Sequence, residues 1–290
     1  MLEGHPVAKQ PGPNVRRRQL GAMLSELRRQ SGKTIKDAAA WLGMTESNVS
    51  KIEKARQSIK PPTVRALGQL YDVDSAKVDY LLRLASEANQ RGWWTAYRDT
   101  VPDWFRQFVG LEADAEVIWE YQSELVPGLL QTPAYVRAIT QAAQPAVVDK
   151  DLERSMELRR ERQARIDGDQ PPQLRFFLNE AVIRRPVGTP DEWRHQLGYL
   201  VGASRLAHVD LRILPFAAGQ HAAMIGSFVM MRFPDEESPA FVYVEHDRGA
   251  IYQEEPGDIE RYTVNVTDLE QRSLSPEESR AMLLEAVEAR

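Results

Sequence analysis

Apolar residues in the first third of the chain recur at intervals of three and four, the spacing of an amphipathic helix. Leu20, Met23, Leu24 and Leu27 form the first such stripe, which ends at the Ser31-Gly32 pair. Four further stripes follow before residue 90, and each starts next to a residue suited to a helix N-terminus: Thr34, Thr45, Thr63 and Ser75. Five short helices with one apolar stripe each predict a compact all-α bundle.

Beyond residue 92 the hydrophobic period shortens from helical spacing to runs of branched and aromatic residues, which favour strands. A short strand is predicted at 118–122, before the Pro127-Gly128 turn. The other strand-like segments are 173–180, 209–216, 226–233 and 240–245, with 249–253 as a possible addition. Helices are predicted around them, the last one capped by Ser275 with Glu278. The pattern predicts an α+β fold with a sheet of about four to five strands and helices covering a face.

Two segments of this second region are unusual in composition. Residues 151–166 form a helix with few apolar positions, which we expect to be solvated or to lie at an interface. Residues 92–115 are rich in aromatic residues, which indicates either packing between the two domains or a ligand cage. The loop 214–226 is our candidate for part of a ligand pocket, although an ordinary connecting loop fits its sequence equally well.

Charge is divided unevenly along the chain, whose formal net charge is −5. Residues 16–60 carry eleven Lys or Arg against four acids, whereas residues 92–290 carry 21 basic and 33 acidic residues. A basic front region on an acidic body fits a phosphate-binding face. We predict three parts: a disordered arm at 1–15, a DNA-binding domain at 16–91, and an α+β sensing or interaction domain at 92–290.

The third predicted helix carries the chemistry expected of a DNA-reading helix. Its first turn exposes short polar groups, and asparagine can pair bidentately with adenine in the major groove. Lysines and an arginine further along suit phosphates, whereas Glu46 would need a cytosine amino group as its partner. Glu53 is expected to pair with a basic residue of the first helix. The candidate DNA-binding residues are Thr34, Thr45, Glu46, Ser47, Asn48, Ser50, Lys51, Lys54 and Arg56.

The segment from Leu27 to Leu67 resembles the lambda-repressor-like, xenobiotic response element family of helix-turn-helix regulators. The matching positions are Leu27-Arg28, Thr34, Ala39, Leu42-Gly43, Thr45, Val49-Ser50, Ile52-Glu53 and the following proline. Two positions depart from the family pattern. Ile35 replaces a glutamine that contacts phosphate in the family, and Ala55 replaces the usual glycine.

The second region resembles the domain of unknown function that follows the helix-turn-helix in actinobacterial, WhiJ-like regulators, a group also called antitoxin-like. The matching segments are 111–115, 126–135, 159–163, 178–188, 211–216, 226–233, 242–245 and 274–285. No catalytic activity is established for the resembled group, so the resemblance does not imply an enzyme. It does imply a small partner protein encoded by a neighbouring gene.

Enzyme, metal and membrane signatures are weak or missing in the sequence. The five histidines show no paired spacing, there is no cysteine, and no nucleophile elbow or phosphate loop occurs. Glu180 and Glu245 could form a carboxylate pair only if the fold brought them together. We therefore predict a cytoplasmic regulator, with no cofactor and no membrane association, that binds double-stranded DNA as a homodimer. Its second domain binds a partner protein or, alternatively, a small-molecule effector, and a DNA-tethered enzyme is disfavoured.

Overall fold

The computed structural model describes residues 12–90, 92–97, 102–234, 240–246 and 248–289. The chain divides into two compact units, one formed mainly by residues up to Thr95 and the other by residues from Ala96 onward. We call them the helical unit and the sheet unit. No helix in the described ranges is both long enough and apolar enough to cross a membrane.

The helical unit contains the five predicted helices. Their stripes share one apolar core that includes Leu20, Leu24, Val49, Ile52 and Leu67. The bounds are α1 Pro13–Gln30, α2 Ile35–Leu42, α3 Glu46–Glu53, α4 Pro61–Leu70 and α5 Ser75–Ala88.

The starts of two helices differ from the prediction. α1 begins at Pro13, inside the segment 1–15 that we expected to be an arm, and residues 1–11 lie outside the described ranges. α4 begins at Pro61 after Lys60, so Thr63 is not its cap. Proline explains both starts, because its fixed φ and missing N–H suit the first helical position.

The predicted caps of α2 and α3 are confirmed. Thr34 and Asp37 form a reciprocal capping box, and Thr45 accepts a hydrogen bond from the Asn48 backbone N–H. Gly43 ends α2 at φ 63°, a left-handed conformation that glycine adopts without a steric penalty. Local sequence therefore sets the turn between α2 and α3.

The sheet unit confirms the α+β prediction, but its described part has six strands where about four to five were expected. Their order is β3-β2-β1-β4-β5-β6, with β1, β2 and β3 parallel and the remaining pairings antiparallel. The short predicted strand at 118–122 is β1, and it lies at the centre of the sheet. The bounds are β1 Val117–Gln122, β2 Gln173–Asn179, β3 Val209–Leu214, β4 Phe228–Arg232, β5 Phe241–His246 and β6 Gly249–Gln253.

Helices lie on both faces of this sheet, where the prediction covered one. On one face Tyr121, Phe177 and Phe228 share a core with Val266 and Leu269 of α11. On the other face, Phe108 of α6 packs on Tyr243, with ring centroids 4.3 Å apart. The helix bounds are α6 Asp103–Asp114, α7 Pro133–Ala143, α8 Asp149–Gln163, α9 Glu180–Arg184, α10 Pro190–Ala203, α11 Pro256–Arg272 and α12 Pro276–Glu288, the last capped by Ser275 and Glu278 as predicted.

The charged segment 151–166 was expected to be largely solvated or to lie at an interface. In the structure one of its faces is exposed, but the other is buried inside the sheet unit. Within α8 the side chains of Leu152, Met156, Leu158 and Arg162 are buried, while Glu153, Glu157 and Glu161 are exposed. One face of α8 is therefore an interior face, and an arginine occupies part of it. Counting apolar residues did not predict this buried face, because a paired arginine can occupy a buried position in place of an apolar residue.

Candidate nucleic-acid interface and sheet-unit cavity

Helix α3 has an apolar face buried in the core and a polar face exposed to solvent. Val49 and Ile52 are buried in the core, whereas Thr45, Glu46 and Ser47 are exposed at its first turn. Asn48 is half-buried, and no hydrogen bond among the described residues uses its side-chain amide. The first turn therefore carries polar groups that remain available to an external partner.

The N-terminal helix α1 holds α3 in place at two points. A Cβ at Gly21 would lie 2.5 Å from the Glu53 carbonyl oxygen, so only glycine lets α1 approach the end of α3 this closely. Arg28 of α1 donates from Nε and Nη2 to the two Glu53 carboxylate oxygens at 2.7 and 2.9 Å. This confirms that Glu53 pairs with a basic residue of the first helix, and it fixes the angle at which α3 is displayed.

The remaining candidate DNA-binding residues are distributed over three places. Lys51 and Lys54 are exposed at the end of α3, Ser50 is half-buried, and Arg56 is exposed just after the helix. Thr34 is exposed at the start of α2, where its hydroxyl takes part in the capping box. The basic groups thus follow the polar first turn along the same helix, an order that suits a groove flanked by phosphates.

Ala55 lies between these basic residues and has a φ of 55°. This is the left-handed region, which costs an L-residue with a Cβ about 1 kcal/mol. The position is the one where the resembled family carries glycine. Ala55 therefore holds a left-handed conformation that glycine would adopt without a steric penalty.

The sheet unit contains a cavity of about 390 Å³ that no single sequence motif predicted. It opens between one face of the sheet, helices α6, α7 and α8, and the loop that carries the Pro127-Gly128 turn. Its wall combines aromatic rings, carboxylates and guanidinium groups. The lining residues used below are Phe105, Phe108, Glu120, Gln122, Leu125, Gly128, Gln131, Ile139, Arg159, Arg162, Tyr243 and Glu245.

Arg162 of α8 forms a bidentate ion pair at the edge of this cavity. Its Nε and Nη2 donate to the two carboxylate oxygens of Glu112 on α6, both at 2.7 Å, and both side chains are almost fully buried. The guanidinium carbon lies 5.3 Å from the centre of the Phe105 ring. A Cβ at Gly128 would come within 3.2 Å of Arg162 Nη2, so glycine in the turn makes room for this pair.

Arg159 lies one helical turn earlier and is paired differently. Its Nη1 donates to the side-chain oxygen of Gln131, a neutral acceptor. Burial, with the nearby Arg162 charge, lowers the Arg159 pKa to about 10, so the guanidinium stays protonated at neutral pH. No ion pair to Arg159 is formed within the part of the chain that the structure describes.

Glu120 is a buried carboxylate in the middle of the sheet. Strand register aligns it with Phe176 of β2 and Val229 of β4, and through Val229 with Tyr243 of β5. Its Oε1 accepts a hydrogen bond from Gln122 Nε2 at 2.8 Å. Burial is the main cause that raises the Glu120 pKa to about 7, and the charges of Glu112 and Glu245 add to it.

A second carboxylate, Glu245, stands at the cavity wall and is exposed. The Tyr243 hydroxyl donates to Glu245 Oε2 at 2.8 Å. Burial, followed by the Glu245 charge, raises the pKa of Tyr243 well above its usual value, so the phenol stays protonated and keeps donating.

Two expectations about this region need correction. The loop 214–226 contributes no residue to the cavity wall, although Ser227 just after it does. Glu180 does not pair with Glu245; it accepts from Arg184 and from the Phe216 backbone N–H. Of the aromatic segment 92–115, Phe105 and Phe108 line the cavity. In the described ranges no group of three or more His, Asp or Glu residues could hold a metal ion.

Sequence inspection also missed the cavity residues Glu120, Arg159 and Arg162. No sequence signal marked Glu120, because Trp119, Glu120, Tyr121 and Gln122 alternate between apolar and polar residues as in a strand with one solvated face. The arginines gave no signal either, because α8 carries five arginines or lysines and only the fold distinguishes the buried ones.

The helical unit and the exposed polar turn of α3 define a helix-turn-helix DNA-binding protein with a second, α+β domain. A family model described as a helix-turn-helix domain matches residues 19–81. The model of the domain of unknown function (DUF5753) matches residues 105–285, more than half of the chain, and the chain belongs to this family. No curated protein matches it. These matches confirm the two-part architecture inferred from the sequence.

Proposed function

We propose that this DNA-binding protein is a sequence-specific transcriptional regulator that reads its operator with α3. The observation that carries the proposal is the exposed polar first turn of α3 together with its basic second half. The helix-turn-helix match supports a regulator rather than an enzyme. Because its target is chromosomal DNA, we place it in the cytoplasm, without a membrane or cofactor requirement.

Each candidate residue receives a role from its chemistry and position. Asn48 reads adenine and Ser47 contacts a neighbouring base edge, while Glu46 accepts from a cytosine amino group. Thr34 and Thr45 lie at helix N-termini, where backbone N–H groups favour phosphate. Contacts to the DNA backbone are assigned to the remaining residues of the set: Ser50, Lys51, Lys54 and Arg56.

Operator binding by two variants tests this assignment. Asn48→Ala is expected to cost about 1–3 kcal/mol at one base pair and to relax discrimination there. Lys51→Ala should weaken binding to all sequences alike and reduce the salt slope by about one. Lys77→Ala, a lysine of α5, serves as the control and should leave both quantities unchanged. Unaltered operator affinity of Asn48→Ala would contradict the placement of the reading helix.

We further propose that the protein binds DNA as a homodimer held by the sheet unit. One helix-turn-helix reads only a few base pairs, and symmetric dimers commonly read half-sites about one helical turn apart. The acidic sheet unit is a poor DNA ligand, so dimer contacts there would not compete with phosphate. Light scattering of the full chain is expected to give twice the chain mass, and a monomer at micromolar concentration would refute the dimer.

Regulation through the sheet unit is the last element of the proposal. A small partner protein encoded nearby, as in antitoxin-like systems, is supported by the family resemblance and by the size of this unit, and copurification with the neighbouring gene product tests it. A small-molecule effector is supported by a specific observation, the cavity of about 390 Å³. Pockets of this size are typical of metabolite sites.

A further inference from the structure

We propose that the cavity of the sheet unit binds a small hydrophobic zwitterion, of the size of an amino acid or dipeptide, whose carboxylate pairs with Arg159 and whose ammonium lies by Glu120 and Glu245. The regulatory consequence of this inference rests on the proposed function, but the binding itself does not.

The first support is the incomplete pairing of Arg159. A guanidinium has five donors, and the described residues supply an amide oxygen of Gln131 but no carboxylate within ion-pair distance. Its neighbour Arg162 carries the same group, but it is fully paired, because it donates two hydrogen bonds to the Glu112 carboxylate. Arg159 is half-buried, and a charge withdrawn from water without a counter-charge is costly, so a ligand carboxylate at Arg159 would be stabilised there.

The second support is a pair of carboxylates on the opposite, sheet side of the cavity. Glu120 accepts from Gln122 and Glu245 accepts from Tyr243, and no ion pair involving either is formed among the described residues. Both are close enough to Arg159 for their charges to raise its pKa. An ammonium group is the cation that would satisfy both carboxylates, and it would draw the proton off Glu120.

The rest of the wall defines the body of the ligand. Phe105 and Phe108 contribute aromatic surface, and Leu125 and Ile139 contribute aliphatic surface. Two carboxylates beside one incompletely paired arginine disfavour polyphosphates and nucleotides, because the carboxylates would repel further anionic charge. A single carboxylate, a single ammonium and an apolar side chain match this wall.

The test is calorimetric titration and thermal denaturation of the full chain, without DNA. The probes are L-leucine, L-phenylalanine and the dipeptide L-leucyl-L-phenylalanine, each compared with its C-terminal amide and its N-acetyl derivative. At least one free zwitterion should bind and raise the Tm, and both blocked derivatives of that probe should bind more than about tenfold weaker. No probe binding with a Kd below about 1 mM would overturn the inference, as would equal binding of the blocked forms.

Variants localise the binding. Arg159→Gln should abolish the preference for the free carboxylate, and Glu120→Gln should reduce the preference for the free ammonium. Arg160→Gln, an exposed neighbour on the same helix, is the matched control and should bind like the wild type. Full zwitterion affinity in Arg159→Gln would overturn the assignment; if that variant does not fold, the derivative series on the wild type still decides it.

A final titration separates the inference from the proposed function. The bound probe is added to the protein on its operator, and a change of about fivefold or more in operator affinity is expected for a regulator. Zwitterion binding with unchanged operator affinity would support the site and contradict its regulatory role. Absence of zwitterion binding together with intact operator binding would contradict the site and leave the proposed DNA-binding function standing.

Discussion

The two units differ in where they place the charged residues that we assign to a ligand. In the helical unit the core is formed by apolar side chains, and the groups assigned to DNA stand on the outside of α3. In the sheet unit Glu112, Glu120 and Arg162 are buried around a cavity. The difference fits the two uses of charge that we propose. Exposed groups contact a large polyanion in water, and buried groups select a small ligand through the cost of desolvation.

Each unit nevertheless contains one bidentate arginine–glutamate pair that ties two helices together. Arg28–Glu53 joins α1 to α3, and its side chains are 12% and 7% exposed. Arg162–Glu112 joins α8 to α6 and is 5% and 6% exposed. The same chemistry should therefore contribute differently to stability, because removing one partner of a pair leaves a charge whose cost depends on its burial.

The largest effect is expected from Arg162→Met, which leaves Glu112 buried without a cation. The free energy of unfolding should fall by about 4 kcal/mol, measured by urea denaturation. The double variant Arg162→Met/Glu112→Leu should recover most of the loss, since neither member of the pair is left as a buried, unpaired charge. Arg185→Met, which breaks an exposed pair with Glu124, is the control and should cost less than about 1 kcal/mol. A double variant as unstable as the single one would contradict the desolvation argument.

The second effect concerns the pH dependence of stability through Glu120. Its pKa is about 7 in the folded chain against a usual value near 4.5. Between these values the folded state keeps a proton that the unfolded state has lost, so stability falls as the pH rises through this window and levels off above it. Across this window the free energy of unfolding should fall by about 3 kcal/mol as the pH rises.

Urea denaturation at about pH 5 and about pH 8 checks this expectation. Glu120→Gln cannot ionise and should lose that part of the pH dependence, while Glu116→Gln, at an exposed residue just before the same strand, should retain it. Equal pH dependence in wild type and Glu120→Gln would show that Glu120 is not protonated in the folded chain.

The third effect is the cost of opening the Arg28–Glu53 pair. Arg28→Ala is expected to lower the free energy of unfolding by about 2 kcal/mol, less than Arg162→Met, because Arg28 is the more exposed arginine and its removal opens Glu53 to water. It should also weaken operator binding, because α3 loses one of its two anchors on α1. Arg29→Ala, whose pair with Glu26 is exposed, should change neither quantity measurably. A cost equal to that of Arg162→Met would remove the distinction between the units.

The smallest effect is a gain at the end of α3. Ala55→Gly relieves the left-handed backbone at φ 55° and should stabilise the helical unit by about 0.5–1 kcal/mol. Thermal denaturation measures this gain, with Ala40→Gly, an exposed position inside α2, as a control that should destabilise. A lower Tm for Ala55→Gly would indicate that the strain at residue 55 is not relieved.

The sequence alone determined what depends on near neighbours along the chain. The stripes at intervals of three and four, the caps at Thr34, Thr45 and Ser275, and the exposed turn of α3 were predicted from residues a few positions apart. Most strands were located in the same way. These features depend on local backbone preferences and on the side-chain period, both of which a short window contains.

Only the tertiary structure decided the composition of the cavity and the place of β1. Glu112 and Arg162 are 50 residues apart, and Tyr243 lies more than 120 residues beyond Glu120 in the sequence. β1 became central through parallel pairing with β2 and antiparallel pairing with β4. The burial of a charge depends on which distant groups surround it, because desolvation and pairing act through space and not along the chain.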